Sequence, residues 1–249
     1  MKIIICGICG KMGQNLLELL STDDAEVVCG VDMSSSGKVG VPVYKSFNEI
    51  KEKADVIIDF SSPAALKSEM EWATEHNIPV VLAATGYSSE QLDYIDGCAK
   101  KIPIFKTANF SLGVNLLVML VKNAAEALGE NFDIEIIEKH HNKKADAPSG
   151  TALMLAESAN SAFGNKKEYL KGRDGIVGNR GKEIGIHAVR GGTIVGEHEV
   201  LFAGEDEIII LTHSARSKKV FGAGAIKAAK WIVGKPADKY DMSDILKNL

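Results

Sequence analysis

His140 and His141 stand side by side in the stretch Glu138-Lys139-His140-His141-Asn142-Lys143-Lys144-Ala145-Asp146-Ala147-Pro148-Ser149-Gly150-Thr151. Imidazole titrates near neutrality, so these side chains exchange protons or donate to an anion at cellular pH. Lys144 adds a fixed positive charge or a proton donor. Ser149-Gly150-Thr151 follows Pro148 and precedes the apolar run Ala152-Leu153-Met154-Leu155-Ala156. That order reads as a helix N-terminus, whose backbone N–H groups and positive dipole end receive anions. Proton-handling groups beside a carboxylate cradle suit a small polyacid substrate. The residues alone leave a second reading open, since histidines also end surface strands and Pro-Ser-Gly-Thr starts many helices.

A second chemistry lies at the N-terminus. Gly7-Ile8-Cys9-Gly10-Lys11-Met12-Gly13 follows the β-branched run Lys2–Cys6 and opens a helix through Leu20, and Asp32 ends the next strand, Glu26–Asp32. A dinucleotide fingerprint requires that context: glycines admit backbone to the pyrophosphate, and an acid binds the ribose hydroxyls. The spacing departs from G-x-G-x-x-G, because Ile8 stands where a glycine would fall. A tight strand-to-helix loop is the competing reading. Cys6-Gly7-Ile8-Cys9 also spells C-x-x-C, but it sits inside this turn and has no second pair elsewhere, so neither a redox nor a metal role is expected. His76, at a helix end, and His187, His198 and His213, on strands, show no metal-ligand spacing, and the last three are expected to be structural strand residues.

The elements that must position these residues change character midway. Asp55–Phe60, Pro79–Ala84 and Ile102–Thr107 read as buried strands, with helices over 63–75, where Pro63 suits the first helical position, and over 88–101. This βαβ rhythm predicts an α/β fold with a doubly wound, Rossmann-type parallel sheet. After a helix at Val114–Leu128 the chain turns to longer strands at Phe132–His140, Glu183–Arg190, Thr193–Phe202 and Glu207–Ser214, the last two as an antiparallel pair. These predict a smaller α+β domain with an open mixed sheet. Gly164–Lys182 is polar and glycine-rich and is expected to be a mobile loop. Helices at Val220–Val233 and Met242–Leu249 complete the pattern.

With 249 residues there is ample length to bury a core in one large or two small domains. A formal net charge of −4 argues against nucleic acid or an anionic membrane as the main partner. No apolar run of about 20 residues is apparent, and the opening Met1–Cys6 is too short for a signal-peptide core. A cytoplasmic protein with reduced cysteines is expected.

Glu-x-His-His-x-x-Lys-x-Asp-Ala-Pro-Ser-Gly-Thr-Ala, read from Glu138 to Ala152, resembles the signature of the dihydrodipicolinate (4-hydroxy-tetrahydrodipicolinate) reductase family. Gly-x-x-Gly-Lys-Met-Gly resembles that family's nucleotide turn. Asp59-Phe60-Ser61 resembles its Asp-Phe-Thr/Ser segment, and Thr107-Ala108-Asn109-Phe110 its Ala-Asn-Phe segment near the nicotinamide. Ala83-Ala84-Thr85-Gly86 falls where the family has Gly-Thr-Thr-Gly, and the two alanines depart from that pattern. Arg190-Gly191-Gly192 resembles a further stretch; its arginine faces a carboxylate or merely the sheet surface.

The resemblance spans the chain and implies NAD(P)H-dependent reduction of a dihydrodipicolinate-type imine on the diaminopimelate route to lysine. It implies a dinucleotide-binding domain of residues 1–111 and 221–249 around a substrate-binding and oligomerisation domain of residues 112–220, assembled as a homotetramer. It implies that His140 is the acid/base group and Lys144 the proton donor, with His141, Ser149, Gly150 and Thr151 on a dicarboxylate substrate. The cofactor would meet Gly7, Ile8, Cys9, Gly10, Lys11, Met12, Asp32, Phe60, Ser61, Ala83, Ala84, Thr85, Thr107, Ala108, Asn109 and Phe110. Asp32 followed by Met33, with no arginine there, predicts use of both NADH and NADPH and a modest lean to NADH; Ser34-Ser35-Ser36-Gly37-Lys38 offers hydroxyls and a cation to the 2′-phosphate. Two other classes remain: a different two-domain dehydrogenase with a catalytic lysine, and a non-catalytic NAD-binding sensor.

Overall fold

A computed structural model describes residues 1–34 and 39–247. The chain divides into two compact units, Met1–Ser111 with Lys219–Leu249, and Leu112–Lys218.

The first unit is built on a seven-stranded sheet. In chain order its elements are β1 (Lys2–Cys6), α1 (Lys11–Leu20), β2 (Glu26–Val31), β3 (Val43–Tyr44), β4 (Val56–Asp59), α2 (Leu66–His76), β5 (Val80–Leu82), α3 (Ser89–Ala99) and β6 (Ile104–Lys106). The strands are short and apolar because both sheet faces are covered; Ile3, Ile4, Ile5, Ile57 and Ile58 are fully buried. The sheet order β12-β6-β5-β4-β1-β2-β3, parallel throughout, reverses direction between β1 and β4. Open α/β sheets bind ligands at such a switch point. The chain returns to this unit after Lys218 as α6 (Lys219–Ile232), β12 (Lys239–Tyr240) and α7 (Met242–Leu246), and β12 pairs with β6 at the sheet edge. Two-residue strands such as β3 and β12 carry no periodicity, so the sequence could not announce them. Pro63 sits in a turn and α2 begins only at Leu66, so the proline does not open the helix.

The second unit holds α4 (Leu112–Leu128), β7 (Asp133–His140), α5 (Gly150–Ser161), β8 (Tyr169–Lys171), β9 (Ile184–Arg190), β10 (Gly196–Ala203) and β11 (Ile208–Ala215). The five strands run in the order β11-β10-β7-β9-β8, antiparallel on one side of β7 and parallel on the other. One face packs Ile134, Ile136, Ile186, Val200 and Phe202 against Leu117, Val121, Leu155 and Ala159 of α4 and α5. The other face is open, with Val189, Ile208 and Ile210 exposed.

Two expectations need correction here. Leu112–Asn131 is long and apolar enough, by length and composition, to cross a membrane. Asn115, Lys122 and Glu126 interrupt the run in sequence, and in the fold Leu117, Val121 and Ala125 of this helix are core residues. Gly164–Lys182 is also more than a loop. It contains β8, and Arg173 and Arg180 bond the carboxylate of Glu135 at 2.8–3.1 Å, tying the segment to β7. Burial alone would raise the Glu135 pKa, but the bonds from Arg173, His187 and Arg180 lower it to about 2. Gly185 leaves the room, since a Cβ there would lie 1.8 Å from Glu135 Oε2.

Candidate active site

At the switch point β1 runs into a turn that only glycine can make. Gly7 has φ +73°, and a Cβ there would lie 2.9 Å from the Phe60 carbonyl oxygen; at Gly13 it would lie 2.4 Å from the Gly7 oxygen. Ile8, where the fingerprint has glycine, is fully buried. Gly30 on β2 makes its space, because a Cβ at Gly30 would meet Ile8 Cγ2 at 2.5 Å. The Ile8 side chain therefore turns inward, leaving only its backbone to a ligand. Asp32 accepts the Cys9 N–H on Oδ2 at 2.9 Å and the Ser34 N–H on Oδ1 at 2.8 Å. Each carboxylate oxygen keeps a further lone pair for a ribose hydroxyl.

A cavity of about 640 Å³ opens beside this turn, lined by Gly7, Gly10, Asp32, Met33, Phe60 and Ser61 among others. A cradle that a Cβ would fill and a carboxylate at the end of β2 both fit a nicotinamide dinucleotide. Lys45, which follows β3 and which the sequence did not single out, is the cation among the lining residues. The Ser35–Lys38 part of the expected 2′-phosphate loop lies outside the described residues. Lys11 and Met12 begin α1. The loops after β5 and β6 carry the remaining candidates. Ala83 N–H bonds the Asp59 carbonyl at 2.8 Å, and Ala84 and Thr85 continue that loop. Thr107 and Asn109 are half-buried and Ala108 is exposed, while Phe110 is buried between the Phe60 and Phe105 rings.

In the second unit, the period of two along β7 puts Glu138 and His140 on the same face as Ile134 and Ile136. Glu138 is fully buried and His140 nearly so. The strand register explains what meets them: Arg190 of β9 lies opposite His140, and His198 of β10 opposite Glu138. Arg190 grips Glu138 with two bonds of 2.8 Å, the Ser149 N–H donates to Oε1 at 3.0 Å, and His140 Nδ1 donates to Oε2 at 2.6 Å. Burial would raise the Glu138 pKa, but the Arg190, His140 and Ser149 bonds outweigh it and lower it. An ionised carboxylate only accepts, so Nδ1 carries the hydrogen and Nε2 is left to exchange protons. Nε2 lies 3.0 Å from where a Cβ on Gly196 would stand, so glycine there leaves the ring its room.

Ser149 is the N-cap of α5. Its hydroxyl accepts the Ala152 N–H at 3.2 Å and bonds His198 Nε2 at 2.9 Å. Its hydroxyl and its N–H thus both make bonds within the fold at the start of the helix. Gly150 faces open space, and Thr151 follows it in the first turn of the helix. His141 carries a buried Nδ1 with no partner among the described residues, and Lys144 pairs with Asp146 at 2.8 Å. Burial, with the His140 ring beside it, pushes the His198 pKa down to about 4. Expected to be a structural strand residue, His198 holds the cap of the cradle helix and packs edge-on to His140 at 5.2 Å. Its signal in the sequence was a polar residue at a core-facing position of an alternating strand, as for Glu138. Arg190, left open by the sequence, binds a carboxylate of the protein itself.

A glycine-cradled dinucleotide site on a doubly wound sheet, with an acid–base cluster on a second unit, defines a two-unit nicotinamide-dependent oxidoreductase. Family models described as dihydrodipicolinate reductase, N-terminus, and dihydrodipicolinate reductase, C-terminus, match residues 1–110 and 113–246. The chain belongs to the dihydrodipicolinate reductase family. It is 51% identical over 248 residues to the 4-hydroxy-tetrahydrodipicolinate reductase of Caldanaerobacter subterraneus subsp. tengcongensis, covering 99% of this chain and 98% of that one. The Clostridium novyi protein of the same name is 46% identical at the same coverage. A dipicolinate-bound dihydrodipicolinate reductase from Paenisporosarcina sp. TG-14 superposes with a TM-score of 0.82 at 25% identity, covering 97% of each chain. A myo-inositol 2-dehydrogenase from Lactobacillus plantarum shares the fold alone, with a TM-score of 0.60 at 10% identity over 93% of this chain and 88% of that one.

Proposed function

We propose that His140 and Lys144 carry the proton chemistry of the family's reaction in this chain, with His141, Ser149, Gly150 and Thr151 holding a carboxylate of the substrate. The reaction is the NAD(P)H-dependent reduction of 4-hydroxy-tetrahydrodipicolinate to tetrahydrodipicolinate, on the diaminopimelate route to lysine; one hydride and one proton are added in total and the 4-hydroxyl leaves as water. The reduced nicotinamide supplies a hydride when bound. Gly7, Gly10, Gly13 and Asp32, with Lys11, Met12 and the backbone of Ile8 and Cys9, would hold its adenosine and pyrophosphate part. The loops at 60–61, 83–85 and 107–110 would line the rest. Lys144 gives a proton to the ring nitrogen, which neutralises the negative charge that reduction develops there.

The observation that carries this reading is the Arg190–Glu138–His140 chain built around a buried carboxylate. It fixes the hydrogen on Nδ1 and points His140 Nε2 away from the carboxylate, a tautomer set by a second group as in other acid–base sites. The start of α5 supplies N–H groups and the positive end of a helix for a carboxylate. The dipicolinate held by the Paenisporosarcina relative supports a dicarboxylate here as well. The exposed Val189, Ile208 and Ile210 on the open sheet support assembly with further copies, for which we take the homotetramer. A soluble cytoplasmic enzyme accords with that pathway.

The test follows NADH and NADPH absorbance while a synthase makes the substrate from pyruvate and aspartate semialdehyde. Turnover with both cofactors is expected. Cofactor binding without turnover would instead mark a sensor, and turnover only with a polyol would mark an inositol-type dehydrogenase.

A further inference from the structure

Three buried side chains beneath the nucleotide cavity take no part in the chemistry above. Cys6 ends β1, Asp59 ends β4 and Glu69 lies in the first turn of α2; one ligand-type atom of each lies within 4.8 Å of the others. Both carboxylates are 0% exposed. Asp59 Oδ1 accepts the Ser61 N–H at 2.7 Å and Oδ2 accepts the Tyr87 hydroxyl at 3.4 Å. Among the described residues, neither oxygen of Glu69 meets a donor of another group. Two ionised carboxylates this close, desolvated and without a cation, repel strongly. One proton between them removes the repulsion and turns an orphaned acceptor into a donor. Burial accordingly pushes Glu69 well above the usual carboxylate range, and the Asp59 charge pushes it further.

The place of this pair gives it a consequence. Ser61 belongs to the loop after β4 that lines the cavity, and Tyr87 to the loop after β5 that carries Ala83–Thr85. The Asp59 carbonyl also accepts the Ala83 N–H at 2.8 Å. Asp59 is therefore the knot between two cofactor loops, and its side chain keeps that geometry only while Glu69 does not repel it.

We propose that Glu69 is a positioning residue for NAD(P)H, donating one proton shared with Asp59 and so holding the loops after β4 and β5 in the form that receives the dinucleotide. The proposal rests on the cofactor site assigned above. Among the described residues, the titratable groups that face the pair are Cys6 from β1 and Tyr87 after β5, with Cys29 of β2 and Asp32 beyond Cys6; Lys106 of β6 meets the Tyr87 ring at 5.7 Å but pairs with neither carboxylate. Among the described residues, no cation pairs with either carboxylate when the proton leaves. Rising pH therefore separates two anions and loosens both loops.

NADH binding to the intact protein, titrated by fluorescence from neutral to alkaline pH, reads this directly. Wild-type affinity should fall by about tenfold or more towards the alkaline end, the change that one pKa unit of coupling implies. Glu69→Gln keeps a donor to Asp59 without a titrating proton, so it should bind normally at neutral pH and lose the alkaline fall. Infrared spectra without cofactor should show the carbonyl stretch of a protonated carboxylic acid in wild type and its loss in Glu69→Gln. Tyr87→Phe, which removes one clamp, should weaken NADH binding several-fold and keep the infrared band. An alkaline fall unchanged in Glu69→Gln, a missing carboxylic-acid band, or a stoichiometric metal ion on these three residues would overturn the proposal alone. Failure of wild type to bind NADH at any pH would overturn the cofactor site with it.

Discussion

Glu138 decides more at this site than either histidine. A fully buried carboxylate is costly unless its charge is met, and here a bidentate arginine, an imidazole and a backbone N–H meet it. Removing one partner of such a buried pair leaves an uncompensated charge, at a typical cost of about 3–5 kcal/mol. Arg190→Met should therefore lose stability in that range in urea unfolding at neutral pH and recover part of it in Arg190→Met/Glu138→Gln. Additive losses in the double variant would show that the two side chains do not act as a pair. The Glu138 pKa is lowered in the fold, so its stabilising share is present above the ordinary carboxylate value. That share is lost as pH falls through the lowered one.

At the scale of elements, β7, β9 and β10 bring Glu138, Arg190 and His198 together through register alone. The alternation of β7 was legible, and so was the α5 start at Ser149. The pairing was not, because no local pattern says which strand lies beside which. The same limit hid Lys45, which reaches the cavity only through β3, a two-residue strand. The misplaced helix start at Pro63 and the pinned 164–182 segment failed for a related reason, since tertiary bonds overrode local composition.

Two predictions belong here. His198 is buried and its pKa is pushed down to about 4 from an ordinary 6.5. The unfolded chain then binds the extra proton below pH 6.5, so stability falls as pH drops from about 6.5 to about 4, by about 3 kcal/mol at most. His198→Gln should flatten that limb in urea midpoints measured across the window; an unchanged acid limb would assign the loss elsewhere. Lys45 stands in the same cavity as Asp32 and can meet a 2′-phosphate at about the strength of an exposed ion pair, roughly 1 kcal/mol or less. Lys45→Ala should lower kcat/KM for NADPH by at most about fivefold and leave NADH unchanged. Equal losses with both cofactors would remove Lys45 from phosphate recognition.

For the whole molecule, the open sheet face has a physical demand of its own. Val189, Ile208 and Ile210 expose apolar surface that a partner copy would cover. Light scattering after size exclusion should give the mass of four chains, and Ile210→Glu should lower it; a monomeric wild type would leave that face for another partner. The proposed function gives the proton chemistry of a dicarboxylate-imine reduction to Lys144, as donor, and His140, as the acid/base group. Its most direct measurement is NADH oxidation on freshly generated 4-hydroxy-tetrahydrodipicolinate by wild type, Lys144→Ala and His140→Gln, with NADH affinity measured alongside. Each variant should lose about 10²–10⁴ in kcat, the usual worth of a positioned acid or base, while NADH affinity stays near wild type. Wild-type kcat in both variants would contradict the account.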